Sequence, residues 1–154
     1  MKQSGSCRCG ASKFLVNGES LGRFFCHCTI CQSAYKRPFA DITAFRARDV
    51  ELAVDNKVRF KRLRPPPAVN RAFCAQCNLP VVGFLSSAPG LGLGLVPSGN
   101  LPDQGELPDP FVHIFYERRV ADVADAIPKV NGYWRSEWIV GRRLVAAMLG
   151  LGRA

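Results

Sequence analysis

Histidine is scarce in this chain, with two residues among 154, and cysteine is not, with seven. Any metal chemistry here must therefore rest on sulfur rather than imidazole. Acidic residues are also few: 12 Asp and Glu stand against 21 Lys and Arg, a net charge of +9 that suits anionic partners. The N-terminal MKQSGSCRCG lacks the apolar stretch of a signal peptide. Charge itself is missing from Ala72 to Pro102, long enough to raise the question of a membrane span. Pro80, Pro89, Pro97 and Pro102, with Gly83, Gly90, Gly92, Gly94 and Gly99, interrupt that run too often for a lipid-spanning helix. A cytoplasmic protein without a membrane partner is the expectation. No fixed-period repeat is present, and 47% hydrophobic with 21% charged residues describes one folded domain rather than a disordered chain.

What is there reads as strand after strand. Lys13 to Val16 leads into the Asn17-Gly18 turn signal, and Arg23 to Cys26 follows. Phe39 to Phe45, Val50 to Leu52, Val58 to Leu63, Ala72 to Cys74, Val81 to Leu85, Leu91 to Val96 and Phe111 to Tyr116 bring the expected total to about eight or nine. Alternation in the Val58 segment predicts Val58 and Phe60 on one face and Arg59 and Lys61 on the other, ended by Pro65-Pro66-Pro67. Only the C-terminal part looks helical. Val140, Leu144, Ala147, Met148 and Leu151 form an apolar stripe there, expected to pack on the chain's own sheet, with a second subunit as the alternative.

The cysteines carry the chemistry. An odd number cannot all pair as disulfides, and Cys7-x-Cys9, Cys26-x-Cys28-x-x-Cys31 and Cys74-x-x-Cys77 are too tightly spaced for relaxed bridges within each cluster. Thiolate metal sites are the natural alternative. In a Cys-x-x-Cys turn both sulfurs reach one ion, and in an extended Cys-x-Cys both face the same side. Cys7, Cys9, Cys74 and Cys77 supply four thiolates for a closed structural zinc site. Cys26, Cys28 and Cys31 are three ligands, which leaves a fourth position for water or substrate, the pattern of a catalytic zinc. Spacing alone also permits Cys7 and Cys9 with Cys26 and Cys28, or Cys28 and Cys31 with Cys74 and Cys77.

Gly5-Ser6-Cys7-Arg8-Cys9-Gly10, Cys26-His27-Cys28-Thr29-Ile30-Cys31-Gln32 and Phe73-Cys74-Ala75-Gln76-Cys77 together resemble the glutathione-dependent formaldehyde-activating enzyme (GFA) and centromere protein V (CENP-V) family. Ser98-Gly99-Asn100-Leu101 looks like its Gly-x-Leu element, and Pro110-Phe111-Val112-His113-Ile114 followed by Trp134 looks like its terminal signature. The resemblance runs from about Ser4 to Trp138, giving a zinc domain over 4–138 and a C-terminal amphipathic helix or tail over 139–154. It implies a mainly β, Mss4-like zinc-stabilised fold with two zinc sites: structural at Cys7, Cys9, Cys74 and Cys77, catalytic at Cys26, Cys28 and Cys31. The implied activity is addition of glutathione to formaldehyde, a carbon–sulfur lyase reaction in the reverse sense. Asn78 stands where the family has Gly, and Asn is the next-best residue for a left-handed turn. The prolines at 65–67 and the glycine-rich 90–94 stretch are not family features and bear on the pocket.

His27 lies between two ligands on an extended segment, so it is expected to face away from the metal, in a supporting or packing role. His113 is expected as a hydrogen-bonded core histidine, and Gln32 as a residue able to reach an anionic ligand. Lys36, Arg37, Arg46, Arg48, Lys57, Arg59, Lys61, Arg62, Arg64, Arg118 and Arg119 are spread along the chain. They suit the two carboxylates of glutathione or the phosphates of DNA, and no recognition helix favours the second. Two functions follow: a zinc enzyme acting on a small thiol such as glutathione and a one-carbon or related electrophile, or a non-catalytic zinc-stabilised binding module. The three-cysteine cluster favours the enzyme.

Overall fold

Ten β-strands and two α-helices make up the described residues, 2–86 and 88–151, of the computed structural model. The strands are β1 (Lys2–Ser6), β2 (Lys13–Asn17), β3 (Gly22–Cys26), β4 (Ala40–Arg46), β5 (Val50–Leu52), β6 (Val58–Arg62), β7 (Asn70–Cys74), β8 (Pro80–Ser86), β9 (Gly92–Pro97) and β10 (Pro110–Ile114). The helices are α1 (Thr29–Tyr35) and α2 (Tyr133–Met148). The expected mainly β architecture with a C-terminal helix is what the chain adopts, and among the described residues no helix is long and apolar enough to cross a membrane.

A three-stranded sheet in the order β1-β2-β5 stands beside a seven-stranded sheet in the order β10-β3-β4-β9-β8-β7-β6. Neighbours pair antiparallel except at one edge, where β10 runs parallel to β3 with His113 opposite Phe25 and Ile114 opposite Cys26. Alternation is clearest in β2: Phe14 and Val16 are buried while Lys13, Leu15 and Asn17 are exposed. Phe14 and Val16 join Phe45, Val50, Val81, Val82 and Val96 in one core. Phe24, Ile42, Ala44, Leu95, Val112 and Ile114 form the other, closed by Leu144 and Met148 of α2. The apolar stripe of the C-terminal helix therefore covers its own sheet. Arg46 adds a hydrogen bond from Nη2 to the Met148 carbonyl at 2.5 Å, a cation at the negative end of the helix.

Four features depart from expectation. The helix begins at Tyr133, well ahead of position 139, and Leu151 at the far end of the stripe lies beyond it, exposed. Strand β1 has no apolar signature because its inward residues are Gln3 and Gly5. Helix α1 is too short to show a period, and so short a helix is held by packing rather than propensity. Its buried residues are Cys31 and Ala34, and Lys36 closes it in the left-handed conformation. Finally, β6 is an edge strand exposed on nearly its whole length, so Phe60 is half exposed rather than packed. Its Arg59, Lys61 and Arg62 point to water, and cations on an open edge discourage pairing with another chain.

Candidate functional site

All seven cysteines gather into two clusters, Cys7, Cys9, Cys74 and Cys77 in one and Cys26, Cys28 and Cys31 in the other. Within each, the sulfurs lie inside 4.8 Å of one another. Of the pairings that spacing alone allows, the fold brings together the four-plus-three arrangement.

The quartet is made at two turns. Cys7 and Cys9 follow β1 in a turn closed by Gly10 at φ 77°, with the Gly10 N–H donating to the Cys7 carbonyl at 2.9 Å. This Cys-x-Cys is thus a turn and not the extended segment expected from its spacing. Cys74 ends β7, and Cys77 sits in the turn beyond it. There Asn78 takes the left-handed conformation at φ 57° and donates its N–H to the Cys74 carbonyl, so the substitution for glycine keeps the turn. Cys7 and Cys9 sulfurs are 3.4 Å apart and Cys9 and Cys74 sulfurs 3.8 Å. Two thiolates bound tetrahedrally at about 2.3 Å stand about 3.8 Å apart, so this spacing fits one ion. The backbone N–H of Ser12 points at the Cys7 sulfur (3.3 Å), as expected for a sulfur carrying negative charge.

The trio is built differently. Cys26 is the last residue of β3, and Cys28 is the N-cap of α1, its sulfur accepting the Cys31 N–H at 3.4 Å. Cys28 has extended backbone at φ −62° and ψ 151°, so Cys26 and Cys28 share a side, and the helical turn returns Cys31 to them. Their protonation shows what the cluster needs. Hydrogen bonds from Cys26 and then Cys31 hold the Cys28 thiol far below its ordinary value, against the opposing effect of burial. Cys26 is pushed well up, first by its hydrogen bond to Cys28. Cys31 gains some thiolate character from Cys26 but is pushed up to about 12 by Cys28 and burial. Ionisation of Cys28 thus opposes ionisation of Cys26 and Cys31. A divalent cation would let all three ionise, which is the sense in which the site fits a metal.

A second cation is already in place. Arg71, buried in β7, directs Nη2 toward the Cys31 sulfur at 3.8 Å, and its Nε has no protein partner. Gly83 lies opposite in β8, where a Cβ would come within 2.7 Å of a Val69 methyl and into ordinary contact with the Arg71 stem. Arg71 also opposes the upward shift of the Tyr35 hydroxyl, which comes first from burial.

The trio forms part of the wall of a cavity of about 330 Å³ between the large sheet and α2. Phe24, Ile42, Leu93, Leu95 and Ile114 supply its apolar sheet side. Tyr133, Ser136, Glu137, Val140 and Leu144 supply the helix side, at the spacing of one helical face. Arg64, Arg71 and Arg118 also line it. Arg64 donates from Nη1 to the Tyr133 hydroxyl at 3.0 Å.

Both histidines turn away from the sulfurs. His27 and His113 are fully buried, with His27 Nε2 2.9 Å from His113 Nδ1 and His113 Nε2 2.9 Å from an Asp125 carboxylate oxygen. The carboxylate can only accept, so His113 donates to it from Nε2. Phe39 and Tyr116 pack on the His27 ring. Burial, then the nearby His113, holds His27 down to about 4, so it is neutral at pH 7. His113 is the hydrogen-bonded core histidine expected, and His27 takes a supporting place behind the trio. Gln32 does not reach outward: its amide donates to the carbonyls of His27 (2.6 Å) and Arg118 (2.7 Å), which fastens α1 to the loop after β10. Ser98 and Asn100 are likewise structural. Ser98 donates to Asp41, itself paired with Arg23, and Asn100 donates to the carbonyls of Pro80 and Val81.

Arg71 and Asp125 escape sequence reasoning. Arg71 had a signal, being a lone charge in a buried strand that ends on Cys74. Asp125 had none, since its loop is irregular.

Comparison with the curated proteins finds no match. Among solved structures, a crystal structure of a Rhodobacter sphaeroides protein shares the fold at 22% identity, with a TM-score of 0.51 over 68% of this chain and 97% of that one. The family pattern named glutathione-dependent formaldehyde-activating enzyme matches residues 2–118, a stretch that contains all seven cysteines and ends before α2. With three quarters of its length inside that match, the chain belongs to the glutathione-dependent formaldehyde-activating enzyme family.

Proposed function

We propose that this protein is a zinc enzyme that joins glutathione, or a closely related small thiol, to an aldehyde such as formaldehyde and releases it in reverse. The observation that carries this is the three-cysteine cluster in the wall of a cationic pocket, beside a buried arginine. Cys7, Cys9, Cys74 and Cys77 would hold a structural zinc, and Cys26, Cys28 and Cys31 a second. Bound by three thiolates, zinc supplies a Lewis acid that favours the thiolate form of an incoming thiol at neutral pH.

The chain's own residues do the rest. Arg71 offsets the negative charge that accumulates where thiolates crowd together, a buried guanidinium being strong there because little water screens it. Arg64 and Arg118 offer donors to the carboxylates of glutathione, and an arginine fork fits a carboxylate bidentately. His27, neutral and hydrogen-bonded through His113 to Asp125, fixes the Cys26–Cys28 segment from behind. It also holds no positive charge that would compete for the metal. The apolar wall excludes water from the forming carbon–sulfur bond.

Metal analysis of the purified protein with calorimetric titration of glutathione tests this. Two zinc ions per chain and glutathione binding that Cys31→Ser abolishes are the expected results. A single ion with no thiol affinity would overturn the enzyme and leave a zinc-stabilised binding module.

A further inference from the structure

The namesake electrophile, formaldehyde, has two heavy atoms, whereas the chamber beside the trio holds about 330 Å³, in the range of pockets that take drug-sized ligands. Glutathione accounts for the cationic part of that lining and not for the rest. Phe24, Ile42, Leu93, Leu95, Val140 and Leu144 give it a wall of hydrocarbon side chains, none of which carries a hydrogen-bonding group. A peptide of two carboxylates, an ammonium and two amides gains nothing from such a wall, and a hydroxymethyl group is too small to cover it. The helical part of that wall, Val140 and Leu144, comes from α2, which lies outside the residues matched by the family pattern. This side of the chamber is therefore built by residues beyond the matched stretch.

We propose that the electrophile is an aldehyde bearing an apolar chain or ring of medium size, its carbonyl at the trio and its hydrocarbon part between the sheet and α2. This rests on the thiol–aldehyde function above and names the substrate class of the same site. The chemistry balances without an oxidant: the thiolate sulfur attacks the carbonyl carbon and a C–S bond forms. The C=O π pair moves to oxygen, which takes up the proton the thiol gave up. The product is the hemithioacetal. In the apolar chamber each added methylene tightens binding by about threefold, since it leaves water on both faces.

Stable thioether mimics of that product test the inference on the zinc-loaded protein. S-Methyl-, S-butyl- and S-hexylglutathione are titrated by calorimetry beside glutathione itself. The expected result is a Kd that falls steadily along the series, by about 240-fold from methyl to hexyl, threefold for each of the five added methylenes. Val140→Trp, which places an indole in the chamber, brings the hexyl-to-methyl ratio close to one. The wild-type series stands without the variant: if glutathione binds and the series is flat or inverted, the inference is overturned. If S-hexylglutathione binds with the expected advantage while glutathione does not bind, the apolar chamber is upheld and the thiol function above falls instead.

Discussion

The two sulfur clusters use the same ligand chemistry and differ in what surrounds them. The quartet joins two turns that are far apart in the chain, after β1 and after β7, so an ion there ties the small sheet to the large one. The trio comes from one continuous stretch of six residues, Cys26 to Cys31, already held by a strand end and a helix cap. Losing an ion from the quartet releases a long loop. Losing one from the trio leaves β3 paired on both sides, with β4 and β10. The difference lies in topology, and it underlies the proposed division between a cluster that holds the fold and one free to bind.

Single substitutions should break this symmetry in a predictable way. Structural zinc contributes about 10–16 kcal/mol, more than most domains have in total stability, so Cys74→Ser is expected to leave the chain largely unfolded at room temperature. Cys28→Ser should keep most of the native near-ultraviolet circular dichroism while glutathione binding falls at least tenfold. Equal loss of folded signal in both variants would show that the clusters do not divide the work.

Much of this division was legible in the chain, because metal ligands come at spacings that geometry dictates. Spacing alone left other groupings of the cysteine pairs open. The resemblance to a known family pointed to Cys7, Cys9, Cys74 and Cys77 in one cluster and Cys26, Cys28 and Cys31 in the other, and the fold brings those together. The strands bounded by turn signals, β2 and β4 in particular, were equally clear. What escaped was whatever depends on long-range placement. Helix α1 owes its existence to Cys28 capping and to the burial of Cys31, and neither leaves a periodic trace in seven residues. Arg71 reads as one more cation among 21 until β7 carries it inside. The link from His27 to Asp125 spans 86 residues and then 12, and no local pattern could report it.

Arg71 offers a sharper comparison, since its guanidinium points at the trio. Arg71→Met keeps the stem and removes the charge. A hydrogen bond to a charged group is worth about 1.5–3 kcal/mol, so glutathione affinity should fall by about tenfold to a hundredfold. The quartet's ion should remain, which metal analysis of the variant checks. Removing the guanidinium relieves the desolvation cost of its burial, which offsets the lost bond to the Cys31 sulfur, so the Tm should change by only a few degrees. A Tm loss as large as that of a quartet variant would mean that Arg71 is a structural pillar.

The smallest expected effect lies behind the trio, at Asp125→Asn. The Asp125 carboxyl is held down to about 2, first by Lys129 and then, against some opposing desolvation, by His113. A carboxylate whose folded pKa is depressed adds stability that is complete above its ordinary value of 3.8 and is lost as pH falls toward 2. Its contribution is therefore constant across the neutral range. Asparagine still accepts from His113 but loses the charge facing Lys129, so a fall in Tm of only a few degrees is expected. That difference should stay the same between about pH 6 and pH 8, where neither form of residue 125 titrates. Thermal melts of wild type and variant across that interval measure it. Both zinc ions should remain bound, because the histidine pair supports the Cys26–Cys28 segment without donating to the sulfurs. A Tm gap that widened with pH would show a second titrating group leaning on this carboxylate, and the pair of histidines would then be coupled to the trio by charge as well as by position.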